Sequence, residues 1–248
     1  MGVEGKVVLV TGASQGIGKA TAEAFLAAGA RVALCARRIE PLAAIAEGRE
    51  EALAVACDVS DPASVDALFA AVLARFGRLD VAFNNAGAMA AGVEIGDMDW
   101  ETWRRVLSVN LDGAFLVARG AFRAMRDQRP QGGRIINNGS ISAHAPRPGS
   151  AAYTASKHAI TGLTKTIALD GRRHAIACGQ IDIGNAATEM ISAAAQGALQ
   201  PDGRVVPEPL MDVAHVADAV VTMAGLPLDA NIPFLTIMAT NMPWLGRG

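Results

Sequence analysis

The chain has 248 residues, of which 51% are hydrophobic and 19% are charged, and its formal net charge is −2. This length suits one large α/β domain or two smaller ones, and the composition excludes a largely disordered chain. The near-neutral charge and the scattered basic residues give no sign of a nucleic-acid partner or an anionic membrane surface.

Three cysteines, Cys35, Cys57 and Cys178, each lie in an apolar run and lack the spacing of metal ligands. We interpret them as reduced core cysteines of an intracellular protein. The four histidines likewise show no metal or triad pattern, so we expect no metal site and treat them as ordinary structural or surface residues. No signal-like region or apolar run of 18 or more residues is found, which predicts a cytoplasmic protein without a membrane span.

Apolar, strand-like runs alternate with helical patterns along the chain. The runs are Val7–Val10, Arg31–Cys35, Ala52–Cys57, Leu79–Phe83, Arg134–Asn138, Ala175–Ile181 and Phe234–Met238. The helical patterns include Gly16–Ala28, Ser64–Arg75, Trp103–Asp127, Ala152–Leu169 and Val213–Ala224. This alternation predicts an α/β fold, with a seven-stranded parallel sheet of the doubly wound, Rossmann type flanked by helices. Without repeats or a linker, we expect a single domain over residues 1–248.

The least regular stretch is Gln196–Met211, where glycines and prolines interrupt every pattern. A structureless loop of this length in a compact domain is usually a lid, a binding loop or a disordered stretch. We expect it near the substrate, as part of a substrate-loop region over residues 188–211 that includes Met190.

The first strand is followed by the sequence TGASQGIG, from Thr11 to Gly18. Glycines between a buried strand and a helix N-terminus let phosphate oxygens approach backbone N–H groups, which a dinucleotide requires. The spacing is Gly-x3-Gly-x-Gly, and a plain tight turn is the alternative. We predict that this turn binds a dinucleotide through Gly12, Ser14, Gln15, Gly16, Ile17 and Gly18.

The second strand ends at Ala36, followed by Arg37 and Arg38. An acidic residue at this point would bind the ribose hydroxyls of NAD, whereas guanidinium groups pair with the 2′-phosphate of NADP. The arginines therefore favour NADP(H), with NAD(H) still possible. The alternative is two solvated surface arginines, close to Glu40.

Tyr153 is the only tyrosine of the chain, and Lys157 lies four residues beyond it. On a helix, the two side chains would share one face with Cβ atoms about 5–6 Å apart. A phenol beside an ammonium can act as an acid, and the alternative is a buried aromatic next to a solvated charge.

The TGASQGIG turn, NNAG at Asn84–Gly87, Asn110, Ser140 and Tyr153-x3-Lys157 together resemble the short-chain dehydrogenase/reductase family. Their order and spacing and the chain length match that family, and the resemblance covers nearly the whole chain. It implies an enzyme that transfers hydride between NAD(P)(H) and a ketone or secondary alcohol. It also implies a homo-oligomer, either a dimer or a tetramer.

The resemblance assigns the nucleotide side of the site. Asp58 and Val59 correspond to the pair that contacts adenine, with the alternative that Asp58 caps a helix, although Ser60 and Asp61 are available for that. Asn85, Ala86 and Gly87 correspond to the turn on the adenine-ribose side.

The same resemblance assigns the catalytic side. Ser140 corresponds to the serine that holds the substrate oxygen, with Ser142 as a rival. Asn110 corresponds to the asparagine that binds a water linked to the lysine, often at a distorted helix; its alternative role is hydrogen bonding to neighbouring backbone. Gly184 and Thr188 match the nicotinamide-side loop, except that Ile183 replaces the usual proline.

Lys157 has a further expected role. Free tyrosine titrates near 10, and lowering its pKa by about 3 units requires roughly 4 kcal/mol. One cation at about 4 Å and an effective dielectric constant of about 20 supplies this much. We therefore expect Lys157 to lower the pKa of Tyr153 and to hold the nicotinamide ribose. The competing function is a nucleotide-binding sensor or scaffold without turnover.

Overall fold

The computed structural model describes residues 2–188 and 197–244. The strands of the main sheet are β1 (Val7–Thr11), β2 (Arg31–Ala36), β3 (Ala52–Ala56), β4 (Val81–Asn84), β5 (Gly133–Asn138), β6 (Ile176–Gly184) and β9 (Phe234–Met238). They form a parallel sheet in the order β3-β2-β1-β4-β5-β6-β9. The residues Ala198–Leu199 (β7) and Val205–Val206 (β8) form a separate antiparallel pair.

The helices connect these strands. They are α1 (Gly16–Ala27), α2 (Glu40–Ala46), α3 (Pro62–Phe76), α4 (Trp100–Leu107), α5 (Ala114–Asp127), α6 (Ala151–Gly171) and α7 (Val213–Gly225). Short 3-10 turns lie at Ile95–Asp97, Ile141–Ala143 and Arg172–His174. A π-helical stretch, Ser108–Gly113, joins α4 to α5.

Both faces of the five central strands are buried, which explains their continuous apolar runs, whereas the edge strands β3 and β9 are partly exposed. In β1, Val8 and Val10 belong to the core that also contains Phe25 of α1 and Val216 of α7. The alternate residues of β1 belong to the opposite core, which contains side chains of α3, α5 and α6. Neighbouring residues of a strand point to opposite faces, so each helical layer covers one face.

The strand order reverses between β1 and β4, which are direct neighbours although β2 and β3 lie between them in sequence. In doubly wound sheets, ligands bind outside the carboxyl ends of the strands at such a reversal. The turn after β1 and the segments after β4 and β5 therefore face the same crevice.

The predicted fold class is confirmed, and all seven predicted strands pair in the sheet. The predicted helix Trp103–Asp127 is interrupted by the π-helical stretch, and α2 was not predicted. The predicted irregular loop contains the short pair β7–β8, with Gly197 at φ 156° before it and Gly203 at φ 84° in its turn. Met190 and Gln196 lie outside the described residues.

Within residues 2–188 and 197–244, no helix combines the length and apolarity needed to cross a bilayer. In the same ranges, no group of three or more histidine, cysteine or acidic side chains could hold a metal ion. The three cysteines are buried free thiols.

The N-terminus of α3 distinguishes the roles of two aspartates. The Asp61 carboxylate accepts from the backbone N–H groups of Ala63 and Ser64, at 3.1 and 3.3 Å. The Asp58 carboxylate instead accepts from the backbone and hydroxyl of Ser60, at 3.0 and 2.7 Å. Asp61 is thus the helix cap, and Asp58 is available for another role.

We expect Asp61→Ala to lower the free energy of unfolding by about 1 kcal/mol, because two N–H groups of α3 lose their acceptor. Asp58→Ala should have a smaller effect. Urea unfolding followed by circular dichroism measures both variants beside the wild type. An equal or larger loss in Asp58→Ala would contradict this assignment of the cap.

Candidate active site

A cavity of about 670 Å³ lies at the carboxyl ends of β1, β4 and β5, within the size range of small-molecule sites. The glycine turn lies at one end of the cavity, and Tyr153 with Lys157 lies at the other. The predicted residues on its wall are Gly12, Ser14, Gln15, Gly16, Ile17, Gly18, Arg37, Arg38, Asp58, Val59, Asn85, Ala86, Gly87, Ser140, Tyr153, Lys157 and Thr188. Asn110 and Gly184, also predicted, lie behind the wall.

The glycine turn approaches the neighbouring strand too closely for side chains. Gly12 and Gly16 have φ values of 68° and 53°, which favour glycine. A Cβ atom at Gly18 would lie 2.1 Å from the Gly12 oxygen and 2.6 Å from Asn85 Nδ2. Among the described residues, no side chain caps the N-terminus of α1 and no acidic residue lies in its first turn. The turn therefore leaves its backbone N–H groups available to an anion.

Thr11 attaches this turn to β4. Its hydroxyl oxygen accepts from the backbone N–H groups of Asn85 and Ala86, at 2.9 and 3.0 Å. The Asn85 side chain donates to the Thr11 carbonyl at 2.8 Å. The asparagine side chain itself accepts from Asn138 at 2.8 Å, which connects β4 to β5. Asn85 thus acts as a brace between three strand ends.

The cavity wall has the charge balance that a dinucleotide with its phosphates needs. Its basic side chains are Arg37, Arg38, Arg105, Arg147 and Lys157, and its acidic side chain within the described residues is Asp58. Together with the uncapped N-terminus of α1, this excess of positive charge fits an anionic cofactor.

The part of the cavity that the sequence predicts for adenosine lies at the ends of β2 and β3. Ala36 is buried there, and Arg37 and Arg38 are exposed. Hydrogen bonds from Ser60 lower the pKa of Asp58, and the charge of Arg37 lowers it further. Arg37 thus lies close enough to Asp58 for their charges to interact. Arg38 is not among the groups that lower the pKa of Asp58.

Tyr153 and Lys157 lie on the same face of α6, as the spacing predicts. The Lys157 ammonium is 5.5 Å from the centre of the Tyr153 ring. It donates to the carbonyl oxygen of Asn138 at 2.7 Å. Lys157 is 5% exposed, and burial lowers the pKa of its ammonium to about 8. A lysine with this pKa is mostly protonated near pH 7, so the phenol has a cation beside it.

The expectation that the pKa of Tyr153 is lowered is wrong. Burial raises the pKa of Tyr153, and the hydrogen bond with Ser140 and the charge of Arg147 only partly oppose this. Burial therefore favours the protonated form of the phenol. That expectation counts the Coulomb energy between the ammonium and the phenolate but not the free-energy cost of burying the phenolate.

Ser140, rather than Ser142, is the partner of Tyr153. The hydrogen bond between Ser140 and the phenol lowers the pKa of Tyr153. The Ser142 backbone donates to the Ser140 hydroxyl oxygen at 3.1 Å, which fixes the rotamer of that serine. Both serines lie on the cavity wall, so the distinction rests on contact with the phenol.

Asn110 lies in the π-helical stretch and is 2% exposed. Its oxygen accepts from the Ala88 backbone at 2.7 Å, and its amide donates to the Ala88 carbonyl at 2.9 Å and to the Ser156 hydroxyl at 3.1 Å. The alternative role, hydrogen bonding to neighbouring backbone, is therefore the one that the Asn110 side chain has. Because Ser156 precedes Lys157, Asn110 also supports α6 from behind.

The two remaining predicted residues lie apart: Gly184 is the last residue of β6, and Thr188 lies in the segment that follows. The Thr188 methyl carbon lies 3.2 Å from the point where a Cβ of Gly16 would be, so this threonine faces the glycine turn. Gly184 instead packs against Met238 and Met242, where a Cβ would lie 2.9 Å and 3.1 Å from their side chains. Its neighbours Ile183 and Asn185 line the cavity.

Three polar residues near the mouth of the cavity were not predicted. The Arg147 guanidinium donates to the Glu208 carboxylate and, at 3.0 Å, to the Asn185 oxygen. Asn185 donates to the same Glu208 oxygen at 2.7 Å. Glu208 is 5% exposed, and this buried cluster ties the segment after β8 to the site. The three residues are far apart in sequence, and no local pattern marks them.

His144 and Asp182 were also missed. The interpretation of all four histidines as ordinary residues overlooks the contact of His144 Nε2 with Asp182 Oδ2 at 2.8 Å. Asp182 is fully buried in β6. In the sequence, Asp182 is notable only because it precedes Ile183, the residue that replaces the usual proline before Gly184.

Comparison with known proteins identifies the family. Residues 6–198 match the family model described as short chain dehydrogenase. The chain is 39% identical over 180 residues to a 3beta-hydroxysteroid dehydrogenase of Mediterraneibacter gnavus, covering 71% of this chain and 64% of that protein. It is 35% identical over 214 residues to a 2,5-dichloro-2,5-cyclohexadiene-1,4-diol dehydrogenase of Sphingobium indicum, covering 86% of this chain and 83% of that protein.

A solved structure supports the same assignment. A 3-ketoacyl-(acyl-carrier-protein) reductase from Brucella melitensis, complexed with NADH, superposes with a TM-score of 0.85 and 28% identity, covering 96% of this chain and 99% of that one. With its glycine turn and its tyrosine–lysine pair in one cavity, the chain belongs to the short-chain dehydrogenase/reductase family of oxidoreductases.

Proposed function

We propose that this chain interconverts a ketone and a secondary alcohol with NADP(H) as its preferred cofactor. The proposed catalytic set is Asn110, Ser140, Tyr153 and Lys157. The observation that carries the proposal is the contact of Tyr153 with Ser140 beside Lys157, at one end of a cavity whose other end is the glycine turn. A protein that only sensed a nucleotide would have no use for a buried acid and its neighbouring cation.

Each catalytic side chain has a distinct task. A nicotinamide cofactor, when bound, supplies or accepts the hydride. Ser140 hydrogen-bonds the substrate oxygen, and the Tyr153 hydroxyl gives that oxygen a proton in reduction or removes one in oxidation. Lys157 places a positive charge beside the phenol and binds the ribose hydroxyls. Asn110 supports the helix that carries both.

The cofactor preference rests on the end of β2. Arg37 and Arg38 lie on the cavity wall, and Ala36 stands where an acidic residue would favour NAD. Guanidinium groups bind phosphate in a fork geometry. The Brucella reductase is complexed with NADH, so the two arginines of this chain carry the argument for NADP(H), and NAD(H) is the competing cofactor.

The named relatives suggest the class of substrate. They include dehydrogenases of a steroid and of a cyclic diol and a reductase of a ketoacyl thioester. We propose a ketone or secondary alcohol on a medium-sized apolar skeleton, bound between the serine–tyrosine pair and the segment over residues 188–211. The single-domain organisation, the homo-oligomer and the cytoplasmic location remain predictions.

Replacement of the proposed acid is the first test. Tyr153→Phe should lower kcat for ketone reduction by about 10²–10⁴-fold, because the developing alkoxide loses its proton donor. Affinity for the cofactor should change little. NADPH consumption against a panel of ketones measures the first quantity, and fluorescence titration with NADPH measures the second.

Two serine variants serve as the matched pair for this test. Ser140→Ala should also reduce kcat strongly, and Ser142→Ala should reduce it much less. Unchanged turnover in Tyr153→Phe would overturn the proton-transfer role. A wild type that binds NADPH but reduces no ketone would instead support the sensor or scaffold.

Cofactor preference is tested by the double variant Arg37→Ala/Arg38→Ala. Loss of hydrogen bonds to a charged phosphate should weaken NADPH binding by about 10–100-fold and NADH binding far less. Calorimetric titration with both cofactors gives the comparison. Arg172→Ala/Arg173→Ala, an exposed arginine pair away from the cavity wall, is the control. Equal losses for the two cofactors would exclude recognition of the 2′-phosphate.

The buried charge of Lys157 should lower the free energy of unfolding near neutral pH. Its pKa is about 8 in the folded protein and 10.5 as a free side chain, so burial penalises the charged form. Below pH 8 the penalty is complete, and it disappears as the pH rises from about 8 to about 10, where the unfolded chain binds more protons. The stability of the wild type relative to Lys157→Met should therefore rise over this window.

Urea unfolding of both proteins across this pH range provides the measurement. Lys157→Met removes the charge and keeps an unbranched apolar side chain at the site. A pH-independent difference in free energy of unfolding between the two proteins would show that burial does not lower the pKa of Lys157. Turnover by Lys157→Met should fall sharply, whatever its stability.

A further inference from the structure

Asp182 is a buried carboxylate without a part in the proposed reaction. Its side chain is fully buried in β6. One carboxylate oxygen accepts from the Ser140 backbone at 2.9 Å and from Gln180 Nε2 at 2.7 Å. The other oxygen contacts His144 Nε2 at 2.8 Å. Burying a charge is costly unless it is paired and hydrogen-bonded, and Ser140 and His144 supply part of that compensation.

Gly139 and Asp182 form one structural unit. A Cβ atom at residue 139 would lie 2.0 Å from Asp182 Oδ1 and 2.7 Å from Gln180 Nε2. The carboxylate thus occupies the space of a side chain at position 139. Its hydrogen bonds fix it in place, so it has little freedom to move aside. Glycine at position 139 is therefore what allows the carboxylate to lie there.

The charge of Asp182 reaches the proposed acid. Burial is the largest cause of the raised pKa of Tyr153, and the charge of Asp182 adds to it; the same charge partly opposes the lowering of the Lys157 pKa by burial. Within residues 2–188 and 197–244, the other charged groups that face Tyr153 are Lys157 on the same helix and Arg147 from the segment before it. Arg147 favours the phenolate and is paired with the Glu208 carboxylate. Asp182 is therefore the negative charge on the side of the sheet.

His144 connects this carboxylate to the surface. Its side chain is 43% exposed, whereas that of Asp182 is completely buried. The His144 ring also contacts the Trp244 ring edge to face, with centroids 6.2 Å apart. His144 is thus held between β6 and the C-terminal segment and directs one ring nitrogen at the carboxylate.

We propose that Asp182, held by His144, is a positioning residue: its buried carboxylate fixes the Ser140 backbone, and with it the hydroxyl that contacts Tyr153. This inference rests on the proposed function and deepens it. Asp182 touches neither substrate nor cofactor in this role.

Tyr153 is the only tyrosine of the chain, so its ionisation can be observed without interference from another phenol. Ultraviolet absorbance of the phenolate during an alkaline titration gives its pKa directly, without substrate. In Asp182→Asn the phenolate should form at a lower pH than in the wild type, because a nearby negative charge is removed. Asp170→Asn, which removes the same charge from an exposed position on α6, should titrate like the wild type.

Kinetics test the same inference. In Asp182→Asn, the fall of ketone reduction at alkaline pH should begin at a lower pH, and kcat near pH 7 should drop on the order of tenfold with a smaller change in KM. A merely structural residue would lower activity at all pH values without moving the profile. Identical phenolate titrations and identical pH profiles for Asp182→Asn and the wild type would overturn the inference.

A second set of variants keeps the test decisive if Asp182→Asn does not fold. Gly139→Ala should be destabilised, and Asp182→Ala in the same chain should recover part of the loss, because the carboxylate that the methyl group meets is gone. Additive losses in thermal unfolding would contradict the pairing of residues 139 and 182. If the wild type reduces no ketone, the proposed function fails, and the tyrosine titration still decides the role of Asp182.

Discussion

The site depends on one chain of hydrogen bonds that crosses the ends of β1, β4 and β5. It runs from Thr11 to Asn85, from Asn85 to Asn138, and from the Asn138 carbonyl to the Lys157 ammonium. A buried ammonium without an acceptor would be very unfavourable, so the position of Lys157 depends on strand ends that also hold the glycine turn. The two ends of the cavity are thereby set by the same register of three parallel strands.

A second polar row lies beneath the first. Asn84 donates to Asn137 at 3.1 Å, Asn137 donates to Thr164 at 2.9 Å, and the hydroxyl of that threonine donates to Gln180 at 3.2 Å. Gln180 then donates to Asp182. All five residues are buried. A buried network of this kind is stabilising only when each member has its partners, and it ends at the carboxylate that holds Ser140. Apolar side chains here would pack the core equally well, but they would not fix that serine.

What the sequence predicts, and what it does not, follows from the range of the interactions. The glycine turn, the Tyr153–Lys157 spacing and the alternation of strands and helices are local, and local patterns predicted them. The contacts of Arg147 with Glu208 and of His144 with Asp182 join residues 61 and 38 positions apart. No local pattern records such pairs. The direction of the Tyr153 pKa shift was wrong for a related reason, because burial is a property of the whole fold.

Besides Lys157, two charges of opposite sign act on the proton of Tyr153, and they differ in how they are held. Asp182 favours the phenol and is fixed within the sheet, whereas Arg147 favours the phenolate and is bound to Glu208 in the segment after β8. The position of that segment determines how far Glu208 neutralises Arg147. A displacement of the segment that carries Glu208 would therefore alter the proton affinity of the phenol, while the contribution of the sheet stays constant.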